Sequence, residues 1–225
     1  ASVVVSRSPR RPRRESSAGA AALSLTESFV IATVYDALGT TATKAAASGR
    51  PGYTLPVPPP IIAAMSYGAP IEIDSGETVR PEWIDYNGHM TESRYLQVFG
   101  DATDALLGYL GLDQEYLDSG FSVFTVESHI RHLDEGAPGS NFVVKTQLLG
   151  GDEKRLHIWH ELLDQESGTL FATGEHMLLH VDTRAAKSCK MQSSLLSKSQ
   201  QLRSLHQSLK RPEAAGRSIA LPSGN

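Results

Sequence analysis

The chain has 225 residues, 40% of them hydrophobic, which is enough to bury a core without help from disulfides or metals. Its single cysteine, Cys189, cannot form an internal disulfide, which excludes a disulfide scaffold or a cysteine-rich zinc module and favours an intracellular protein. The formal charge of -4 hides a partition, because residues 71–185 carry 21 acidic and 7 basic side chains whereas both ends are basic. Such a field repels nucleic acid and attracts cationic ligands, so no nucleic-acid partner is expected.

Residues 1–68 are predicted to form a basic tail rich in proline, alanine and serine. The arginine cluster at residues 10–14 is compatible with an organelle-targeting segment, a basic interaction arm or a solvated disordered leader. A short helix is expected near residues 24–36. No run of 18 or more apolar residues and no secretory pattern occurs, so we expect no membrane span and a cytoplasmic or mitochondrial location.

Residues 69–185 have the regular pattern of a folded domain. A strand is predicted at residues 70–80, where apolar and polar residues alternate. The turn WIDYNGHM follows, and Thr91 then precedes a helix of about five turns, because apolar residues recur every three or four positions up to Gly111. Turn residues separate four later segments rich in β-branched and aromatic residues, which predict consecutive antiparallel strands. These segments are 121–133, 141–149, 155–163 and 169–182.

This element order predicts an α+β fold in which one long helix is wrapped by a five-stranded antiparallel sheet. An exposed sheet edge, together with aromatic residues on the second face of the sheet, favours completion of the sheet by another subunit. A homodimer or a dimer of dimers is therefore expected.

The segment 186–225 is predicted to be a basic C-terminal tail. Its leucines are spaced like one face of a helix, which indicates a surface helix or a helix that binds a partner. They are Leu195, Leu196, Leu202, Leu205 and Leu209. Cys189 has no basic dyad near it in the sequence and is not expected to be a nucleophile.

The densest cluster of reactive residues is the turn between the first strand and the helix. Asp85, Asn87 and His89 alternate there, and Gly88 allows the backbone to bend sharply or to approach a ligand closely. A carboxylate can attack a thioester carbonyl or activate a water, while an amide and an imidazole can hold that water or a developing oxyanion. This pattern suits acyl transfer.

The start of the helix adds a second feature to this turn. Backbone N–H groups near Glu92 lack helical partners and lie at the positive end of the helix dipole, so they are candidates for binding an oxyanion. A purely structural interpretation stays open, because Asn-Gly is a common turn signal and Thr91 can serve only as a cap. A calcium loop is rejected, because the required glutamate spacing is missing.

The string WIDYNGHMTESRYLQVFGDATDALL, with FTVESHIRHLDE, KRLHIWHELLD and ATGEHMLLHVD, resembles the hotdog-fold acyl-CoA thioesterases. Within them it is most similar to the betainyl-CoA thioesterases that accompany carnitine dehydrogenase. The resemblance covers residues 71–185 and implies a hotdog fold, dimers made by joining two sheets edge to edge, and active sites at the subunit interface. It also implies that Asp85 is the nucleophile or general base, with Asn87 and His89 completing a D-x-N-x-H pattern.

Further substrate-binding candidates lie in the turn, on the helix and on the following strand. Thr125 and Glu127 share a face in the predicted strand, where they line a partner's site or are ordinary sheet-surface residues. Arg131, Lys154 and Arg155 are candidates for the phosphates of coenzyme A or for a solvated rim. The complete set of substrate-binding candidates is Gly88, Thr91, Glu92, Tyr95, Thr125, Glu127 and Arg131.

Two other groups of residues invite a ligand. An aromatic cage for a quaternary ammonium group is one interpretation of Trp83, Tyr86 and Trp159. The other is that these side chains fill a core. Eight histidines invite a metal, but pairs three apart on a strand face opposite ways and a pair four apart is too widely separated, so no metal site is expected.

The sequence thus predicts an acyl-CoA thioesterase that needs no cofactor, with coenzyme A entering as part of the substrate. Betainyl-CoA or another short acyl-CoA is the expected substrate. A hotdog dehydratase acting on an acyl thioester and a non-catalytic acyl-CoA-binding module are the alternatives.

Overall fold

The computed structural model describes residues 2–3 and 69–221. The predicted arginine cluster at residues 10–14 and the helix expected near residues 24–36 lie outside these residues. Within the described ranges, no helix combines the length and the apolar character that crossing a membrane requires.

In the described part of the chain, seven strands form one antiparallel sheet. They are β1 (Ser2–Val3), β2 (Ile71–Ile73), β3 (Phe121–His132), β4 (Phe142–Gly151), β5 (Arg155–Asp164), β6 (Leu170–Asp182) and β7 (Lys187–Ser188). Their order across the sheet is β1-β3-β6-β5-β4-β2, and β7 pairs with β6. The strands β2 to β6 are the five that the sequence predicts, and the expected α+β fold is confirmed.

The helices are α1 (Glu92–Leu110), α2 (Gln114–Asp118) and α3 (Ser193–His206), and a 3-10 turn covers Pro81–Trp83. Helix α1 is the long helix expected after Thr91, and it ends where Gly111 adopts a φ of 101°. One face of α1 is buried against the concave side of the sheet, as the three-to-four spacing of its apolar residues requires.

The first predicted strand is shorter in the structure than the sequence pattern indicates. Only Ile71–Ile73 pairs with β4, because the chain then turns: the Gly76 amide donates to Asp74 Oδ1 at 2.7 Å and Gly76 has a φ of 66°. After the turn, the rest of the predicted strand forms only an isolated β-bridge, between Thr78 and Asn141. Alternation alone does not reveal such a break.

The centre of the core is Phe99 on α1, which is completely buried. Its ring stacks on His160 of β5 with the centroids 5.6 Å apart. Gly174 of β6 lies directly opposite, and a Cβ there would stand 2.8 Å from Phe99 Cδ2 and 2.7 Å from His176 Nε2. Only glycine therefore lets the helix lie this close to the sheet.

Helix α3 packs on the same core, which differs from the surface or partner helix that the sequence suggests. Its Leu195 and Leu202 are buried in the apolar cluster that contains Phe99. The imidazole of His206 is also buried, and its Nδ1 accepts the backbone N–H of Leu148 at 2.9 Å, next to a bulge in β4. Elements that pack on the sheet thus extend past residue 185.

The chain beyond α3 reaches the face of the sheet opposite α1. There the Gly216 amide donates to both carboxylate oxygens of Glu175, at 2.9 and 2.8 Å. Glu175 Oε1 is also 2.6 Å from His157 Nε2 on the neighbouring strand. A hydrogen-bonded group on the convex face therefore fastens the C-terminal segment to the middle of the sheet.

Candidate active site

The turn that the sequence analysis singled out is a compact loop closed by backbone hydrogen bonds. Ile84 and Met90 form an isolated antiparallel bridge at its base. Inside the bridge the Asp85 N–H donates to the His89 carbonyl at 3.0 Å, and the Gly88 N–H donates to the Asp85 carbonyl at 3.0 Å. Gly88 has a φ of 84°, a conformation that favours glycine. The turn therefore places Asp85 and His89 beside each other at its base.

The carboxylate of Asp85 has both a structural and an available oxygen. Oδ1 accepts the backbone N–H of Asn87 at 2.8 Å, which is the local turn that aspartate commonly forms. Among the described residues Oδ2 has no hydrogen-bond partner, and the side chain is half-buried rather than enclosed. The structural interpretation of Asp85 and its chemical interpretation are therefore compatible, since each uses a different oxygen.

Helix α1 begins beside this turn with open backbone donors. The Thr91 N–H donates to the Trp83 carbonyl at 2.8 Å, but the Thr91 side chain makes no capping hydrogen bond, although Thr91 occupies the N-cap position. Within the described ranges the N–H groups of Glu92 and Ser93 have no acceptor. These amides lie at the positive end of the helix dipole and can bind a developing negative charge.

The side chain of His89 faces a loop that the sequence analysis did not single out. His89 Nε2 is 2.9 Å from Glu135 Oε2, in the loop between β3 and β4. Two hydrogen bonds hold this loop against the turn and the helix: Met90 N–H to the Gly136 carbonyl at 3.1 Å, and Gly136 N–H to Tyr95 Oη at 3.3 Å. No periodic pattern marks a single acid in such a loop, so only the fold reveals the contact.

Tyr95 lies beneath this loop as an anchor. Its side chain is 3% exposed, and its ring meets that of His132 edge-on at 4.7 Å. Burial raises the pKa of the Tyr95 phenol, and the nearby carboxylates of Glu135, Asp134 and Asp85 raise it further. The phenol is therefore neutral near neutral pH and holds the loop, and its predicted contact with substrate stays a prediction.

The strand candidates do not share a face, and that part of the prediction is wrong. A bulge in β3 places Thr125 opposite Leu178 and Glu127 opposite Met177, which are consecutive residues of β6. Leu178 is a core residue, so Thr125 faces the helix while Glu127 faces away from it. Arg131 pairs with Thr173 on the same face of the sheet as Glu127, and its predicted contact with substrate stays a prediction.

The basic residues beside the turn are not those that the sequence analysis chose. Lys154 and Arg155 lie where the chain turns from β4 into β5, and the guanidinium group of Arg155 makes two hydrogen bonds to Asp152 Oδ2. Beside the turn, the guanidinium groups of Arg80 and Arg94 lie 5.2 and 5.8 Å from the centre of the Trp83 ring.

The three aromatic residues proposed as a cage are not assembled within the described chain. Trp83 is 4% exposed, packs near Phe142 with centroids 6.2 Å apart, and already carries arginine groups beside its ring. Trp159 lies on the convex face of the sheet, next to Glu175, and Tyr86 is 96% exposed. Trp83 therefore fills core space, as the alternative interpretation had it.

The other histidines near α1 belong to a buried polar layer. His160 Nδ1 lies 2.8 Å from Thr146 Oγ1 and its Nε2 lies 3.0 Å from Thr103 Oγ1. Burial lowers the pKa of His160 well below its usual value and lowers the pKa of His176 to about 4. In residues 2–3 and 69–221 no group of three or more His, Cys, Asp or Glu side chains is arranged to hold a metal ion.

Comparison with protein families and individual relatives gives a consistent result. Residues 79–199 match the thioesterase-like superfamily. A betainyl-CoA thioesterase of Pseudomonas aeruginosa is 46% identical over 145 residues, which are 64% of this chain and 91% of that protein. An L-carnitine dehydrogenase/betainyl-CoA thioesterase of Agrobacterium fabrum is 57% identical over 114 residues, which are 51% of this chain. The matched part spans only 23% of the length of that second relative.

Solved structures match the fold as well. A hypothetical protein of Staphylococcus aureus, determined in complex with CoA, superposes with a TM-score of 0.64 at 27% sequence identity. The match covers 71% of this chain and the whole of that one. The wrapped helix and the sheet described above are therefore those of the hotdog fold.

Proposed function

Because the chain belongs to the thioesterase-like superfamily, we propose that it hydrolyses an acyl-CoA thioester to a free acid and coenzyme A. The observation that carries this proposal is the Asp85 carboxylate in the turn before α1, one oxygen of which has no hydrogen-bond partner among the described residues. The proposed reaction needs no resident metal or cofactor, since coenzyme A enters with the substrate.

In the proposed reaction Asp85 Oδ2 takes a proton from a water molecule as that water attacks the thioester carbonyl. The new carbon–oxygen bond places negative charge on the carbonyl oxygen, and the N–H groups of Glu92 and Ser93 stabilise it. The carbon–sulfur bond then breaks, the electron pair leaves with sulfur, and the proton held by Asp85 passes to the thiolate. Asn87 and His89 hold the water at the turn.

For the acyl group we propose a short chain that carries a cation, betainyl in particular. The relative from Pseudomonas aeruginosa bears that name and is matched over 91% of its length. The acidic character of residues 71–185 supports the same choice, because the carboxylate of Asp85 in the turn and that of Glu92 at the start of α1 favour a positive ligand. A trimethylammonium group would be held there by charge rather than by the aromatic cage.

We also propose that the active molecule is a homodimer. The proposal follows from the sequence resemblance to the hotdog-fold thioesterases, which implies dimers made by joining two sheets edge to edge. Half-buried apolar residues such as Val123 lie on β3, near one side of the sheet. A protein that is monomeric by light scattering and fully active in the thiol-release assay would contradict this.

A thiol-release screen tests the proposed reaction. Purified protein is incubated with short, long, aromatic and betainyl esters of coenzyme A, and free thiol is measured. The tert-butylacetyl ester is the matched control for betainyl-CoA, because it has the same shape without the charge. We expect faster release from the betainyl ester, with a difference that shrinks as salt is added.

Other results of the screen point to the alternatives. Equal rates for the betainyl and tert-butylacetyl esters would overturn the cationic substrate but not the hydrolysis. Reversible loss of water without thiol release would indicate a dehydratase, and thermal stabilisation by acyl-CoA without turnover would indicate a binding module. Either of these two results would overturn the proposed hydrolysis.

A further inference from the structure

We propose that Glu135 is a positioning residue for His89, fixing the proton of the imidazole on Nε2 so that Nδ1 is the ring atom available to a water molecule. The catalytic consequence of this inference rests on the proposed thioester hydrolysis, whereas the position of the proton does not. The contact that supports it is the 2.9 Å separation between His89 Nε2 and Glu135 Oε2.

The chemistry of the two groups decides which ring nitrogen carries the proton. An ionised carboxylate has only acceptor oxygens, so the atom facing it must be an N–H donor. In the neutral imidazole the other nitrogen, Nδ1, is then an acceptor with a free lone pair. Without Glu135 both tautomers and several ring rotations are accessible, and Nδ1 loses its fixed direction.

The backbone around Glu135 is held on both sides, which makes it suitable for orienting another side chain. Before it, the N–H groups of Leu133 and Asp134 both donate to the Phe171 carbonyl, at 2.9 and 3.0 Å. After it, Gly136 is bonded to Met90 and to Tyr95, as described above. The backbone that carries the Glu135 carboxylate is thus fixed relative to the turn that carries Asp85 and His89.

Stability alone does not account for the pair. The side chains of His89 and Glu135 are 39% and 66% exposed, and an ion pair with that much solvent contact adds little to folding. Orientation of a ring next to a reactive carboxylate is a role in which one solvent-exposed hydrogen bond still matters, because catalysis depends on the direction of a lone pair. We therefore expect Glu135 to affect rate more than folding.

The test compares three variants in the full chain. Glu135→Ala removes the acceptor, and Glu135→Gln keeps an acceptor oxygen but removes the charge. Glu82→Gln is the matched control, because Glu82 is an exposed glutamate in the 3-10 turn before Asp85 and does not pair with His89. Each protein is studied by nitrogen NMR of the histidine rings, by thiol release across a range of pH, and by urea unfolding.

The expected NMR result is a His89 ring protonated on Nε2 in the wild-type protein and in the Glu82→Gln control. Glu135→Ala should show mixed tautomers, and Glu135→Gln should retain most of the Nε2–H form. In activity, we expect Glu135→Ala to lose about tenfold in kcat, a part of the ~100-fold or more that an oriented acid or base contributes. Glu135→Gln should lose less, KM should change little, and the urea midpoint should stay unchanged.

Two results would overturn the inference. One is an Nδ1–H ring in the wild-type protein, and the other is a Glu135→Ala variant with the wild-type tautomer and wild-type pH profile. If Glu135→Ala fails to fold, the Glu135→Gln spectrum decides. A wild-type protein that releases no thiol from any ester would contradict the proposed hydrolysis, but its His89 spectrum would still confirm or refute the pairing.

Discussion

His160 is buried in the core and His89 lies near the surface, and the two rings have different hydrogen-bonding partners. His160 is fully buried between the hydroxyl groups of Thr103 and Thr146, whereas the His89 side chain is 39% exposed and meets the carboxylate of Glu135. Burial disfavours a charged ring, so His160 stays neutral and its hydrogen bonds serve packing. The same residue type is thus structural under the helix and available for chemistry at the turn.

The largest effect is expected when the buried region is opened. Phe99→Ala removes the ring between His160 and Gly174 and should lower the free energy of unfolding by about 3–5 kcal/mol. Urea unfolding measures the loss, and Leu96→Ala on the exposed side of α1 is the control. A loss for Phe99→Ala no larger than that of the control would show that the layer is not the centre of stability.

The turn should respond in the opposite way, with a loss of rate and little loss of stability. Asp85→Asn keeps an oxygen that can accept the Asn87 N–H but removes the base, so thiol release should fall on the order of 100-fold or more. The urea midpoint should hardly change. Full activity of this variant on every ester that the wild type hydrolyses would refute the proposed mechanism.

Acid should weaken the buried region. Burial lowers the pKa of His176 to about 4 in the folded protein, so the unfolded chain binds more protons between that value and its own pKa of about 6.5. Stability is therefore complete above the unfolded pKa and falls as the pH decreases towards the folded one. Lowering the pH from about 7 to about 5 should remove about 2 kcal/mol through His176 alone.

The measurement for this acid effect is urea unfolding as a function of pH. His160, whose folded pKa is also lowered by burial, acts in the same direction. The variant His176→Asn has no titrating ring and should show a shallower dependence on pH. An identical slope for this variant and the wild type would show that His176 does not contribute.

The smallest effect is expected where α3 joins the sheet. His206→Leu leaves the Leu148 N–H without its acceptor in a buried position, which should cost about 1 kcal/mol in the free energy of unfolding. The control Gln207→Leu changes an exposed residue directly after the helix. Equal unfolding midpoints for the two variants would mean that water replaces the lost bond.

The regular elements were predictable because their periodicity is continuous. Helix α1 shows its three-to-four spacing without interruption, and the strands β3 to β6 are separated by clear turn residues. The predicted pattern is wrong where one extra residue breaks the period. The bulge that separates Thr125 from Glu127 adds a single residue, and nothing in the local composition marks it.

The candidate site was predictable only in part, for a similar reason. Every second residue of one short segment belongs to this group, namely Asp85, Asn87 and His89. Their closeness therefore follows from the sequence without knowledge of the fold. Glu135 meets His89 across 46 positions of chain because β3 runs back past the turn. Contacts of that kind follow from strand order, and so does the burial of α3, whose leucines alone do not tell which surface they cover.

The hydrogen bonds between the Gly216 amide and Glu175 should keep the C-terminal segment on the sheet even after the chain is cut before it. Lys210 and Arg211 are exposed between α3 and those bonds, so trypsin should cleave the peptide bond between them. The C-terminal fragment should then stay bound to the sheet through the Gly216 amide and Glu175. Native mass spectrometry of the digest would then measure the fraction of the cleaved C-terminal segment that has dissociated from the sheet. That fraction reports how readily the hydrogen bonds of the Gly216 amide open.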